Sequence, residues 1–238
     1  MKTYNLLIAL VLISVMLLTG CNSELRVGEL QTDSQSVEVG DAESVRVEIN
    51  FGAGDLKVSG GAEKLLEADF TYNVARLKPE VKFTDRSLVI WEPGKEGRID
   101  WRGIRDFRNE WDLRLNNAVP MDLSVDMGAG TSDLQLSGLS LTGLEINLGA
   151  SDSTIDLSGS WARDLDATIV AGAAAITVVL PKDVGVRVEI EAGPTAINAS
   201  GLTKDGNVYT NAAYGVSDVT LKIHLEAGVG QINLEVEE

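Results

Sequence analysis

Few residues in this sequence are equipped for chemistry. His224 is the sole histidine. It alternates with Ile223 and Leu225 in a pattern that turns it outward, and "LKIHLEAG" sets no nucleophile elbow beside it. A histidine metal centre has no second ligand, and a Ser-His-Asp triad would have to use this one residue. Cys21 is the sole cysteine, which excludes a disulfide framework and a thiolate cluster. Carboxylates are abundant. Asp100, Glu110 and Asp112 stand near Trp101 and Trp111, and paired carboxyls are what glycoside cleavage needs. Asp55, Asp133 and Asp152 follow glycine turns in "GAGD", "GAGTSD" and "GASDS". If those turns stack, Asp133 and Asp152 line up as candidate calcium ligands through their carboxylate oxygens, although Asp is also simply a good turn residue. The glycine phrases lack the Lys-Ser/Thr pair of a phosphate loop and open no helix, so no cofactor is implied.

These groups must be held by strands. The phrases "INFGAGDLKVSG", "VDMGAGTSDLQLSG" and "INLGASDSTIDLSG" repeat one design. Apolar residues alternate with polar ones up to a glycine, as in Val45, Val47, Ile49 before Gly52 or Val186, Val188, Ile190 before Gly193. Such alternation puts one face of a strand in a core and the other in water. It resumes four or six residues past the glycine, and these even offsets predict that the inward face carries straight across the turn. Gly128, Gly149, Gly172 and Gly193 follow one another at intervals of 21, 23 and 21 residues. A period near 22 with strand–turn–strand content predicts an all-β, single-chain β-solenoid whose coils share one interior. Second corners are expected at Ser137-Gly138, Ser158-Gly159 and Ser200-Gly201. A β-sandwich of hairpins is the alternative, disfavoured by the constant period and by only 5% aromatic residues.

The first residues, "MKTYNLLIALVLISVMLLTGC", place a lysine before an apolar run too short to span a membrane comfortably. That is the layout of a secretory signal peptide. Leu18-Thr19-Gly20-Cys21 resembles the lipobox of bacterial lipoproteins, which implies lipidation of Cys21 and a membrane anchor. Each buried methylene of such a lipid contributes about 0.8 kcal/mol. The expected organisation is residues 1–20 as signal peptide and 21–40 as lipidated N-terminus and linker. Residues 41–120 are then a first repeat with a capping insert, and 121–238 the β-repeat stack.

Charge is unevenly spread. The chain carries 20 basic and 36 acidic side chains, a net charge of −16, a poor match to nucleic acid. Residues 76–114 differ, with ten basic and eight acidic groups, three of the four tryptophans and the phrase "RIDWRGIRDFRNEW". The period fails here, between Gly61 and Pro120. A capping or side-packed hairpin over an open end of the stack, with the tryptophans buried, is one reading. The other is a binding patch, because Trp and Arg are frequent interface anchors. Its candidate partner-binding residues are Trp101, Arg102, Arg105, Phe107, Arg108 and Trp111.

Together the lipobox, "INFGAGDLKVSGG" and "WDLRLNNAVPMDLSVDMGAGTSDLQLSGLSLTGLEINLGAS" resemble the bacterial toast-rack proteins. These are relatives of the cell-wall-active-antibiotics response proteins and of an adhesin-like β-repeat group. The resemblance spans about residues 40–236. It implies a lipid-anchored, non-enzymatic, extracytoplasmic protein of the cell envelope that binds or senses, with an envelope protein or glycan as partner and no catalytic residues to carry over. A glycan hydrolase using the carboxylates near Trp101 and Trp111 is the alternative. Oligomeric state stays open.

Overall fold

A computed structural model describes residues 27–93 and 106–237. Strands β1 (Gln31–Val37), β2 (Val45–Ser59), β3 (Leu66–Tyr72), β4 (Glu80–Thr84) and β5 (Ser87–Trp91) precede β6 (Asn109–Leu115). Then come β7 (Met121–Gln135), β8 (Leu141–Asp156), β9 (Leu165–Leu180), β10 (Gly185–Ala192), β11 (Thr195–Ser200), β12 (Thr203–Asp205), β13 (Val208–Thr210) and β14 (Thr220–Val236). The all-β solenoid is the observed fold, and the only helical element among the described residues is a 3-10 turn at Ala75–Leu77.

Each long strand is a bent rung. Its first half lies in one arm and its second half in another, with the glycine phrase at the corner. β2, β7, β8, β9 and β14 are continuous rungs of 15 to 17 residues. β5 and β6 together make a split rung against β2, and β10 and β11 make another against β14. The seven rungs of the described residues stack parallel and in register, apart from a one-residue shift at Met121/Asp122 where β7 meets β8. One core file therefore runs Ile90, Ile49, Val125, Ile146, Ile169, Leu225, Ile190 through the first arm, every member buried in the same cluster. A single rung exposes its inner face, whereas seven in register bury it.

The corner corrects one expectation. Inward residues are Val45, Val47, Ile49 and Phe51, then Leu56 and Val58. Leu56 follows Phe51 by five positions, an odd step, so strict alternation would turn Leu56 outward. The glycine lies on the outward parity, and an even count from it does not preserve the inner face. The corner absorbs one residue, as a β-bulge does, and this returns the second arm to the shared interior. Corners also stack tightly: a Cβ on Gly128 would overlap the carbonyl oxygen of Gly52. The second corners fall where expected, with Gly138, Gly159 and Gly201 at positive φ.

Rung order differs from sequence order. The period predicts Gly172 and Gly193 as neighbours, but β14 lies between β9 and β10/β11. The corner glycines stack in the order Gly52, Gly128, Gly149, Gly172, Gly228, Gly193. Residues 31–37, expected to be linker, form β1, which pairs antiparallel with β3. At the end of the stack bearing β1, both arms are capped, one by β4 and the other by β3 and β1. At the opposite end, among the described residues, β13 and β12 cap the first arm only.

Asn211 ties that cap to the stack. Its Nδ2 donates to the carbonyls of Pro181 (3.0 Å) and Val184 (2.7 Å), and its Oδ1 accepts from the Val186 amide (2.9 Å). The side chain is buried, so truncation strands three backbone groups away from water. Asn211→Ala is expected to lower stability by about 2 kcal/mol, read as a lower urea midpoint at unchanged slope.

Candidate functional site

Two surfaces are built by the rungs. On the outer face of the second arm, outward residues form straight files across the strands. One file runs Thr71, Glu110, Asp55, Thr131, Asp152, and the next runs Asp69, Asp112, Lys57, Asp133, Thr154. Six carboxylates thus surround Lys57 along a shallow groove of about 540 Å³. Asp133 and Asp152 do not line up. Asp133 is in register with Thr154, and Asp152 with Thr131, because their phrases place them two residues apart relative to the corner glycine. Among the described residues, no group of three or more His, Cys, Asp or Glu is arranged to hold a metal ion. The groove's chemistry is that of a diffuse negative surface, unfavourable to anions.

The second surface follows the outer side of the glycine corner. Gly52, Gly128 and Gly149 line the floor of a cleft of about 710 Å³, with Leu77, Met127 and Leu148 among its apolar walls. The aromatic–basic insert springs from this same corner. Trp91 is in register with Asn50, and Glu110 with Asp55. Four residues turn the corner between Asn50 and Asp55, whereas eighteen separate Trp91 from Glu110. The connection between the two halves of the split rung is thus fourteen residues longer than the corner of β2.

Asparagines anchor its described flanks. Asn109 is buried on the inner side. Its Nδ2 donates to Ala53 O (2.8 Å) and to Glu92 Oε1, and its Oδ1 accepts from Trp111 Nε1 (3.1 Å). Asn73 accepts from the Arg108 amide (2.9 Å) and donates to the Asp106 carbonyl. Sequence reasoning missed these asparagines. The available signal was Asn109 at the inward parity of "NEWDLRL", two residues from Trp111, where a polar side chain must find partners.

The expected binding residues separate into groups. Trp111 is not a surface anchor. It is 1% exposed and packs edge-on against Phe51 and Phe70, with ring centroids at 4.9 and 5.3 Å. Alternation explains this: Trp111, Leu113 and Leu115 point inward, while Glu110 and Asp112 point outward. A glycan groove pairing Trp111 with those carboxylates cannot form, since they lie on opposite faces of β6. Arg108 is exposed and pairs with Glu110 at 2.6 Å, and Phe107 is half-buried. Trp101, Arg102, Arg105, Asp100 and Cys21 lie outside the described residues. His224 is on the outer face, with Nε2 3.0 Å from Glu226 Oε1. It faces Glu189 across the strand pair, whose carboxyl the Arg187 guanidinium holds below the ordinary carboxylate range.

The fold and its surfaces define a stack of bent, parallel β-rungs with one shared core and a split rung near one end. The sequence matches the family model for the N-terminal domain of toast_rack, DUF2154, over residues 26–179. The chain belongs to the toast-rack family. A solved structure of a proposed cell adhesion protein from Clostridium sporogenes is 32% identical, with a TM-score of 0.80, covering 88% of this chain and 100% of that one. A proposed adhesin from Bacteroides fragilis is 12% identical, with a TM-score of 0.37, covering 87% of this chain and 97% of that one. No curated protein matches the sequence.

Proposed function

We propose that the chain is a lipid-anchored, non-enzymatic protein of the bacterial cell envelope that acts as an adhesin-like binding scaffold. The observation that carries this reading is the Clostridium sporogenes relative, a proposed cell adhesion protein similar over its whole length. The architecture supports it. A continuous core through seven rungs makes a stiff body, suited to holding a surface in place.

The expected anchor, Cys21, precedes β1, and β1 stacks at the same end as the split rung β5/β6 from which the insert emerges. Trp101, Arg102 and Arg105 would then meet an envelope protein or glycan close to the anchored membrane, with Phe107 and Arg108 at the base. Two variants in bacterial cells test this. Wild type is expected in the membrane fraction and Cys21→Ala in the soluble fraction; equal partitioning would remove the anchor. Wild type is expected to capture an envelope component that the Arg102→Glu/Arg105→Glu variant does not. Identical captured sets would remove the insert from the binding role.

A further inference from the structure

Among the described residues, four strands terminate the arms of this stack, and three carry charge on their edges. β1 has Asp33, β4 has Glu80 and Lys82, and β12 has Lys204 and Asp205. Charged edge residues are the usual defence against pairing with another chain. β11 is the exception. Among the described residues it pairs with β14 on one side and with no strand on the other. Its sequence, TAINAS, has no charge and no proline, and the run from Ala192 to Thr203 is uncharged in a chain of net charge −16.

Two files reach β11 and stop there. The inner file of the second arm ends Ile176, Ile232, Ile197, and Ile197 is left half-buried where Ile176 and Ile232 are buried. The outer file ends Thr177, Asn233, Asn198. Asn198 Nδ2 donates to Asn233 Oδ1 at 2.9 Å, and Asn233 Nδ2 donates to Thr177 Oγ1 at 3.3 Å. At the same end of the first arm, by contrast, Val188 is covered by Tyr209 of β13.

We propose that the open edge of β11 is a self-association site, occupied by β11 of a second copy in an antiparallel pair about a twofold axis at Ile197. This register sets Ile197 against its own counterpart. It sets Thr195 against Ala199 and Ala196 against Asn198, so inward residues meet inward ones and outward meet outward. The apolar file continues into the second copy and the backbone groups of the edge gain partners. Charge selects the occupant: an identical uncharged strand approaches this edge with no like-charge contact at the seam. A second copy's β1, the other terminal strand of this arm, would bring Asp33 and a head-to-tail contact that does not close, whereas the twofold pair closes as a dimer. The second arm counts nine strands from β1 to β11, so the site lies on the order of 40 Å from β1 at about 4.8 Å per strand. The self-pairing does not depend on the envelope partner proposed above.

Sedimentation of the full chain in density-matched neutral detergent tests it. Wild type is expected to show a concentration-dependent monomer–dimer equilibrium. Ala196→Lys/Asn198→Lys places lysine opposite lysine twice in the proposed register and is expected to weaken the dimer by about tenfold or more. Ala196→Lys/Asn198→Glu places lysine opposite glutamate twice and is expected to restore it. Both positions are exposed, and matching thermal melts of the monomers check that the stack is intact. A wild type that stays monomeric at every concentration overturns the proposal. So does a double-lysine variant that dimerises like wild type, or a lysine–glutamate variant that fails to recover.

Discussion

Gly130→Ala is expected to destabilise the protein by about 3–5 kcal/mol, or to prevent folding. Two costs add. Gly130 has φ +122, a region that L side chains rarely adopt. A Cβ there would also overlap the carbonyl oxygen of Gly54 in the adjacent rung, and that oxygen is backbone, so it cannot swing aside like a side chain. Relief requires separating rungs that are otherwise in register from Val45 to Val58. Gly40→Ala isolates the conformational part. Gly40 has φ +58, and a methyl group added to it would meet nothing within 4 Å, so its cost is expected near 1–2 kcal/mol. Urea unfolding followed by circular dichroism compares the two. Equal losses would mean that corner stacking does not limit stability.

Trp111→Ala is the second large effect, with an expected loss of about 3–5 kcal/mol. The indole is packed between Phe51 of β2 and Phe70 of β3, so it joins the split rung to both its neighbours. Removing it leaves a cavity at the junction between the stack and its cap. It also strands Asn109 Oδ1, which accepts from the indole N–H. Trp111→Phe keeps part of the packing and is expected to cost less than Trp111→Ala. A melting temperature unchanged by Trp111→Ala would restore this residue to the surface patch.

The repeat was legible in the sequence because its causes are local. Alternation and a glycine phrase depend on neighbouring residues, and the two recur together in six of the seven rungs. Trp111 illustrates a residue that two readings claimed. A cap with buried tryptophans and a binding patch were both open, and the alternation of Trp111, Leu113 and Leu115 points all three inward, as the cap reading has it. The register across the corner was hidden for a different reason. The glycine looks like a turn centre, but it sits on the outward parity, and only the bend decides how many residues the turn consumes. Pairing order was legible for β7, β8 and β9, which stack in chain order, but not beyond β9. β10 and β14 offer the same apolar alternation to β9, in Val186, Val188, Ile190 and in Leu221, Ile223, Leu225. Nothing local distinguishes them. The alignment of Asp133 with Asp152 failed on a two-residue offset that was present in the sequence, Asp133 lying five residues past Gly128 and Asp152 three past Gly149.

The position of β14 also constrains assembly in time. Synthesis delivers β9, β10 and β11 long before the final seventeen-residue strand, yet that strand is the layer between them. A nascent chain can zip its early coils together one upon another, but must hold the β10–β13 unit away from β9 until the last segment has slid into the gap. Closing that gap prematurely, β10 directly on β9, would yield a well-bonded trap with the tail left over. The slow phase of refolding should therefore report on exclusion of the tail, and a supplied peptide of residues 220–236 would be a competitor for its own slot.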